Sequence, residues 1–311
     1  MPTSPSTPTT PIVALVGPTA SGKTSLSLDL AEALGGEIVN TDAMQVYRGM
    51  DIGTAKLPLA ERRGIPHHLL DTLDVREPAT VAQFQAWART AIAGIRGRGA
   101  TPVLVGGSAL YTRAILDRFD FPGTDEDVRA RYEAELGEVG PEVLHARLRD
   151  LDPAAADRIE PENGRRVVRA LEVIELTGAA FSARLPVQEH DDPATVQIGV
   201  EIERDELEQR IRERVRIMFD TGLLDEVERL LGQGLAEGRT ASRAIGYPQA
   251  VAVLAGEMDL AEAQERTVIA TRRFARRQMA WWRNDPRITW VRYDDPDRVG
   301  KALAVVRGQR T

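Results

Sequence analysis

The sequence predicts an α/β fold: a doubly wound parallel sheet, interrupted by a mostly helical insertion and followed by C-terminal helices. The first observation is a set of short, continuous apolar runs, which are typical of strands buried on both faces of a parallel sheet. The second is the helical periodicity between these runs, because strands that alternate with helices indicate a parallel sheet. The third is a charged, helix-rich middle region with few strand signals.

The first half of the predicted sheet can be followed strand by strand. "PIVALVG" (residues 11–17) leads into a glycine-rich loop and the amphipathic stretch "SLSLDLAEALGG". We expect Gly35 and Gly36 to close this helix, because glycine is favoured at helix ends. "EIVN" follows as a second strand that ends near Asp42, and "TPVLVGG" (residues 101–107) is a third, lying between the helical stretches "VAQFQAWARTAIAGIRGRG" and "SALYTRAILDR".

Three segments are predicted from the changes of pattern along the chain. Residues 1–10 are a disordered leader, because they are rich in Pro, Ser and Thr. Residues 121–195 form the helical insertion, and residues 11–120 with 196–311 form the core domain. In its second part the core contains a strand "VQIGVEIE", long amphipathic helices and a last strand "RITWVRYD". The apolar side chains of the first of these helices recur at helical spacing: Leu207, Ile211, Val215 and Met218.

Composition excludes several kinds of chemistry. The sequence has no cysteine, which rules out disulfides, thiolate catalysis and cysteine-ligated zinc and agrees with a reducing cytoplasm. Apolar runs such as "VAVLAG" stop far short of the roughly 18 residues that span a bilayer, so we expect a cytoplasmic protein without membrane partners. The net charge of −7 argues mildly against nucleic acid as a partner, but the distribution of the charge has to decide.

The glycine-rich loop has the spacing of a P-loop: Gly17, four residues, then Gly22, Lys23 and Thr24, placed between a strand and a helix. In such a loop, backbone N–H groups converge on phosphate oxygens, the lysine adds a positive charge, and the threonine hydroxyl ligates Mg²⁺. The predicted diphosphate-binding residues are Gly17, Pro18, Thr19, Ala20, Ser21, Gly22, Lys23 and Thr24, with Thr24 also the metal ligand. The motif does not say what is attached to the diphosphate.

The segment "NTDAMQVY" puts Asp42 at the carboxyl end of the second strand, where open α/β sheets bind ligands. Asp42 is a candidate general base or magnesium ligand, and the alternative is a residue that only caps the following turn. Gln45 is suited to contact a base edge and Tyr47 to stack on a base, although both types also occur as ordinary surface or core residues. In "HHLLD" a metal site is a weak alternative, because adjacent histidines project in different directions.

Two basic segments lie outside the sheet region. "RTVIATRRFARRQMAWWR" (residues 266–283) has six arginines and no acid, and on a helix Arg272 lies over Arg276 and Arg273 over Arg277. We expect phosphate or nucleic-acid contact there, and the alternative is a solvated face with the tryptophans packed inward. In "GRRVVRA" the two interpretations are evenly balanced, because acidic residues lie on both sides of its arginines: Arg165, Arg166 and Arg169.

The combination of motifs resembles the tRNA dimethylallyltransferase family, also called tRNA isopentenyltransferases. The matching segments occur in order between residues 17 and 283: "GPTASGKT", "DAMQVYRGMDIGTAK", "PHHLLD", "GGSALY", "RRVVRALEV", "RAIGYPQ" and "TRRFARRQMAWWR". The chain departs from the usual pattern at four places. Ser108 and Ala109 stand in place of Thr and Gly, Ala43 and Met44 in place of Ser and Arg, Gly164 and Arg165 in place of Pro and Gln, and the segment before Arg129 is one residue short.

The resemblance implies that the loop holds dimethylallyl diphosphate and that its diphosphate is a leaving group, so that no ATP is consumed. The acceptor would be the exocyclic amine of the adenosine 3′ of the anticodon, within the anticodon stem-loop of tRNA. The resemblance makes Asp42 the base and assigns Lys23, Ser108 and Arg129 to the catalytic centre. The tRNA-binding residues it implies, together with the basic helix, are Asp42, Ala43, Met44, Gln45, Arg165, Arg166, Val167, Val168, Arg169, Arg272, Arg273, Arg276 and Arg277.

Three other functions fit parts of the sequence. A small-molecule P-loop kinase would use Asp42 to activate a hydroxyl, but it leaves the arginine-rich helix unexplained. An adenylate isopentenyltransferase would keep the chemistry and take a free nucleotide. A nucleotide-switched RNA-binding protein would not need Asp42 at all. The family resemblance favours a monomeric tRNA-modifying enzyme that uses Mg²⁺.

Overall fold

The computed structural model describes residues 10–118, 122–182 and 188–308. Apart from Thr10, the predicted leader lies outside these ranges. The strands are β1 (Val13–Val16), β2 (Gly36–Asn40), β3 (His67–His68), β4 (Thr101–Val105), β5 (Val196–Glu201) and β6 (Ile288–Arg292). The helices are α1 (Lys23–Leu34), α2 (Val81–Gly97), α3 (Ala109–Leu116), α4 (Glu126–Val139), α5 (Pro141–Leu151), α6 (Pro153–Ala156), α7 (Gly164–Thr177), α8 (Arg204–Asp220), α9 (Leu223–Leu231), α10 (Tyr247–Leu254), α11 (Leu260–Arg283) and α12 (Arg298–Val306).

The six strands form one parallel sheet in the order β3-β2-β4-β1-β5-β6. β1 lies inside the sheet, where Val13 is paired with Val103 of β4 on one side and with Val196 of β5 on the other. The prediction of an α/β fold with a parallel sheet is confirmed. β3 was not predicted as a strand, because two residues are too short to give a periodic pattern.

Alternate residues of the central strands pack into two cores, which explains their continuous apolar runs. Val13 and Leu15 of β1 belong to one core, together with apolar side chains of α1 and α12. Ala14 belongs to the other, with side chains of α2, α3, α8, α9, α10 and α11. Since helices cover both faces, every residue of β1 is buried.

The two glycines predicted to end α1 have different roles. Gly35 is the C-cap, with a left-handed φ of 57°, and its N–H donates to carbonyl oxygens of the last turn. Gly36 is instead the first residue of β2, where a Cβ would come within 2.7 Å of the Thr101 carbonyl oxygen. Glycine is therefore required at Gly36 by the close approach of β4 rather than by the helix end.

The chain divides into two compact units. One contains the sheet and comprises Met1–Leu116 and His190–Thr311, and the other is Asp117–Glu189. The second unit contains α4–α7 around a core of its own, formed by Leu144, Leu148, Leu171 and their neighbours. Its limits differ by a few residues from those expected for the helical insertion. Within the described ranges, no helix is long and apolar enough to cross a membrane.

Candidate active site

The glycine-rich loop joins β1 to α1, and its conformation depends on glycine. Gly17 and Gly22 have φ values of 137° and 89°, which glycine adopts without steric cost. A Cβ on Gly17 would also lie 3.0 Å from the Val200 carbonyl oxygen. α1 then begins at Lys23 with no side chain of the described residues capping it. The loop therefore directs the N–H groups and the dipole of a helix start into the site, as anion-binding loops do.

Lys23 is buried within this loop. Its Nζ donates hydrogen bonds to the carbonyl oxygens of Gly17, at 3.0 Å, and Pro18, at 2.6 Å. Burial, and to a smaller extent the positive charge of Arg214, lower the pKa of Lys23 to about 7, against the opposing effect of Asp42. Lys23 therefore loses its positive charge more readily than an exposed lysine does, and an anion bound beside it would favour the charged form.

Asp42 follows β2, and Asn40 holds the turn that carries it. Asn40 Oδ1 accepts a hydrogen bond from the Asp42 N–H at 2.8 Å, and its Nδ2 donates to the Asp42 carbonyl oxygen at 3.0 Å. Asp42 Oδ1 accepts from the Met44 N–H at 2.9 Å, so the carboxylate does cap a turn. Burial raises the pKa of Asp42, although this hydrogen bond and the charge of Lys23 oppose the shift. The carboxylate is thus a stronger proton acceptor than an exposed one.

The loop after β4 approaches Asp42 closely because it consists of glycines. A Cβ on Gly106 would lie 2.2 Å from Thr41 Oγ1 and 2.9 Å from the Asp42 nitrogen. Ser108, predicted at the catalytic centre, directly precedes α3, and its Oγ accepts a long hydrogen bond from the Tyr111 N–H at 3.5 Å. Among the residues that the structure describes, Ser108 is not one of those that line the cavity next to Asp42.

Side chains from α8 and α11 complete the site, and their place in it was not predicted from the sequence. Arg210 Nε donates to the Ala20 carbonyl oxygen at 2.8 Å, and Arg214 Nη1 donates to Thr19 Oγ1 at 3.1 Å. Burial and the charge of Arg210 lower the pKa of Arg214. The two arginines are four residues apart and hence share a helix face. This spacing can be read in the sequence, since Arg210 and Arg214 directly precede the apolar Ile211 and Val215.

Gln278 of α11 joins the two glycine loops. Its Oε1 accepts from the Thr19 N–H at 2.9 Å, and its Nε2 donates to the Gly107 carbonyl oxygen at 2.9 Å. Gln278 is buried, and a Cβ on Gly107 would lie 2.1 Å from its Nε2. It lies in the arginine-rich segment, but nothing local distinguishes it from an ordinary polar residue of a helix.

These segments enclose a cavity of about 290 Å³. Its lining combines the P-loop residues with polar side chains at the strand ends and from the helices, and with a few apolar ones. It is formed by Thr19, Ala20, Ser21, Gly22, Lys23, Thr24, Ser25, Ser27, Ile38, Asn40, Asp42, Gln45, Thr54, Ala55, Leu57, His67, Leu70, Val105, Gly106, Gly107, Arg210, Arg214 and Gln278. The structure therefore brings together the predicted diphosphate-binding loop, the predicted base and Gln45.

Two further expectations near the cavity concern stacking by Tyr47 and a metal site at His67 and His68. Tyr47, considered for stacking on a base, is fully buried in the core, and its hydroxyl donates to the Glu77 carbonyl oxygen at 3.1 Å. His67 and His68 contact separate partners: Nδ1 of the first lies 2.8 Å from the Ile65 carbonyl oxygen, and Nε2 of the second lies 2.6 Å from Glu37 Oε2. Stacking by Tyr47 is therefore excluded by its burial.

The arginine-rich segment forms the C-terminal part of α11. Arg272 is half-buried and pairs with Glu208 of α8 at 3.2 Å, so an acid distant in sequence offsets this charge. The other arginines of the two predicted ridges, Arg273, Arg276 and Arg277, are exposed. The two tryptophans differ too: Trp282 is buried and Trp281 is 49% exposed. Three of the four ridge arginines and the ring of Trp281 therefore face solvent, while Trp282 packs inward.

In the helical unit, the predicted Arg129 and Arg169 converge on one acid. Both donate to Oε2 of the fully buried Glu172, at 2.8 and 2.9 Å. Arg169 also donates to the Pro122 carbonyl oxygen at 2.8 Å. These arginines consequently hold α4 and the segment before it against α7.

Among the other predicted tRNA-binding residues of α7, the structure separates exposed from buried ones. Arg165 and Arg166 are exposed. Val167 and Val168 are buried in the core of the helical unit, so the prediction that they contact tRNA is wrong for their side chains. The physical reason is helical periodicity, which turns these two residues toward α4 and α5 while the arginines remain outside.

This chain is similar to known proteins over most of its length. The family model described as IPP transferase matches residues 45–285. A tRNA dimethylallyltransferase of a Nocardioides species is 71% identical over 96% of both chains, and that of Streptomyces coelicolor is 57% identical over 92% of both.

Solved structures are similar over nearly the whole chain. The tRNA isopentenylpyrophosphate transferase of Bacillus halodurans has 41% identity and a TM-score of 0.68, covering 96% of this chain and 95% of its own. A eukaryotic dimethylallyltransferase acting on tRNA has 26% identity and a TM-score of 0.82, covering 97% and 80%. With the family model matching most of its length, this chain belongs to the tRNA dimethylallyltransferase family.

Proposed function

We propose that this prenyltransferase moves the dimethylallyl group of dimethylallyl diphosphate to the exocyclic amine of the adenosine 3′ of the anticodon in tRNA. The observation that carries the proposal is a single cavity shared by a phosphate-binding type of loop and a half-buried carboxylate, Asp42. In the reaction a C–N bond forms, the allylic C–O bond breaks, diphosphate leaves, and the amine loses one proton. Each of these events needs a group that the cavity supplies.

Asp42 is the proposed proton acceptor. The lone pair of an adenine amine is delocalised into the ring, so its attack on carbon requires a positioned base. Two hydrogen bonds with the Asn40 side chain hold the turn, the Met44 N–H donates to one carboxylate oxygen, and burial raises the pKa of the carboxyl. A base of higher pKa takes the proton more readily as the new bond forms.

The P-loop is proposed to hold the diphosphate. The N–H groups at the start of α1 and the cations Lys23, Arg210 and Arg214 would surround the leaving diphosphate, on which negative charge builds up; all three side chains line the cavity. Their attraction grows as the C–O bond breaks, so they stabilise the transition state more than the ground state. Gln278 holds Thr19 and Gly107 in place, which keeps the two loops of the site in register.

Mg²⁺ is the proposed cofactor, and the residues present fit it. The described residues contain no cluster of three or more His, Cys, Asp or Glu side chains that could hold a metal ion. This suits Mg²⁺, which is commonly held by one or two protein ligands, water and substrate phosphates. The exposed Thr24 at the cavity would supply its hydroxyl, and when bound the ion would neutralise charge on the diphosphate.

The acceptor tRNA is proposed to contact the exposed arginines. Arg273, Arg276 and Arg277 of α11 and Arg165 and Arg166 of α7 are solvent-exposed, and guanidinium groups bind phosphates well. Gln45 and the backbone of residues 42–44 are proposed to contact the target nucleotide at the cavity. Catalytic-centre roles for Ser108 and Arg129 remain predictions from the resemblance.

The test is a labelled-prenyl transfer assay with purified protein, Mg²⁺ and dimethylallyl diphosphate. Unmodified tRNA is compared with AMP as the acceptor, and a third reaction contains ATP without the prenyl donor. We expect label in tRNA and none in AMP. Label in AMP would favour an adenylate isopentenyltransferase, and ATP consumption without transfer would favour a kinase.

A further inference from the structure

A buried carboxylate outside the cavity holds one of its walls. Glu226 of α9 is 5% exposed. Its Oε2 accepts hydrogen bonds from the N–H groups of Asp51 and Ile52, at 2.9 and 2.7 Å, and its Oε1 accepts from the Gly53 N–H at 3.1 Å. The Tyr247 hydroxyl donates to the same Oε1 at 2.6 Å. Four donors thus replace water around this carboxylate.

Such an arrangement is not needed for packing alone. A buried carboxylate is costly unless it is fully hydrogen-bonded, and an apolar side chain would pack α9 more simply. Gly53 fits the same arrangement, because a Cβ there would lie 2.5 Å from the ring of Tyr247. The carboxylate, the tyrosine and the glycine therefore define one conformation of residues 51–53.

This conformation reaches the cavity through the next two residues. Gln45 Nε2 donates to the carbonyl oxygens of Thr54 and Ala55, at 3.0 and 3.4 Å, and all three residues line the cavity. At the far end of the loop, the buried Lys56 Nζ contacts Asp51 Oδ1 and Asp71 Oδ1, both at 2.7 Å. The loop that orients Gln45 is thus fixed at both ends.

We propose that Glu226 is a positioning residue for the acceptor nucleotide: together with Tyr247 it holds residues 51–53 and thereby orients Gln45 beside Asp42. The inference rests on the proposed function, because the group oriented is the acceptor adenosine. The P-loop is held by Gln278, Arg210 and Arg214 instead. Loss of the Glu226 contacts therefore acts on the acceptor side of the reaction more than on the donor side.

The experiment compares Glu226→Gln and Tyr247→Phe with the wild type in the prenyl-transfer assay. Glu226→Gln puts an amide NH₂ against backbone donors, so we expect kcat/KM for tRNA to fall about 10- to 100-fold, and Tyr247→Phe to lower it about 2- to 5-fold. The KM for dimethylallyl diphosphate should stay within about threefold in both variants. Hydrogen exchange of the residue 51–53 amides should accelerate in Glu226→Gln.

The control for a general loss of stability is Val227→Ala on the same helix, whose side chain is fully buried. It should lower Tm by a similar amount while leaving the tRNA KM and the exchange of residues 51–53 near wild type. If the wild type is active, two results overturn the inference and leave the proposed function intact. One is an unchanged kcat/KM for tRNA in Glu226→Gln, and the other is an equal fall of kcat/KM in Val227→Ala. A wild type that transfers no prenyl group to tRNA overturns the proposed function and the inference with it.

Discussion

The cavity and the solvent-facing part of α11 both concentrate charge, but they do so under different physical conditions. In the cavity, Lys23 is buried and Asp42 is half-buried, the pKa values of the two groups are shifted in opposite directions, and hydrogen bonds hold both. On α11, Arg273, Arg276 and Arg277 are exposed, and water and salt screen their charges. We therefore expect each group in the cavity to have a large individual effect that depends on its exact position. The exposed arginines should instead contribute small, similar amounts to one positive electrostatic field.

The largest difference between the two regions is expected at Asp42. Asp42→Asn keeps the shape and removes the base, so kcat should fall about 10²- to 10⁴-fold, while the Kd for tRNA changes by less than about threefold. Single-turnover transfer and filter binding measure the two quantities. Glu257→Gln, at an exposed carboxylate, should be indistinguishable from wild type. Normal transfer by Asp42→Asn would refute its role as the base.

A pH dependence should separate Lys23 from the exposed arginines. The pKa of Lys23 is lowered to about 7, so its charge is lost as the pH rises above that value, and a bound diphosphate restores it. Affinity for dimethylallyl diphosphate should then fall by up to about tenfold per pH unit between pH 7 and 9. Calorimetry at pH 8 in buffers of different ionisation enthalpy should detect proton uptake on binding. The uptake should disappear in Lys23→Met, and its persistence there would assign it to another group.

Gln278 tests whether burial or the helix itself decides the size of the effect, because it lies on α11 but lines the cavity. Gln278→Leu leaves the Thr19 N–H and the Gly107 carbonyl oxygen without this partner, so we expect about a tenfold loss in kcat/KM and about 1–3 kcal/mol of stability. Gln278→Glu keeps the acceptor for Thr19 but sets a buried carboxylate oxygen against the Gly107 carbonyl oxygen, so it should lose at least as much as Gln278→Leu. Enzyme kinetics and thermal unfolding measure both effects. Equal activity of Gln278→Leu and wild type would mean that the two loops do not need this bridge.

The smallest single effects are expected for the exposed arginines. Each of Arg273→Ala, Arg276→Ala and Arg277→Ala should weaken tRNA binding by about 2- to 5-fold and reduce the slope of log K against log salt by about 1 or less. The measurement is a salt titration of tRNA affinity. Arg307→Ala at the end of α12 removes an equal charge from an exposed position and is the matched control. Effects as large as that of Asp42→Asn on kcat would abolish the distinction between the two regions.

Much of the fold could be predicted from local pattern. Apolar runs located the long strands of the sheet, and the P-loop spacing located the turn between β1 and α1. β3 was missed, because its two residues carry no periodicity. In α7, local charge suggested one functional surface, but helical geometry buries Val167 and Val168 and engages Arg169 with Glu172.

Local sequence was enough to predict the family, the parallel sheet, the glycines of the P-loop and the place of Asp42 after a strand. These features depend on neighbouring residues, whose spacing specifies local backbone geometry. Only the tertiary structure decided which distant groups complete the site: Gln278 bonds to Thr19 across 259 positions, and Arg214 across 195. It also showed Glu226 holding a loop more than 170 positions away. Such contacts arise from the packing of helices on the sheet, so no local motif encodes them.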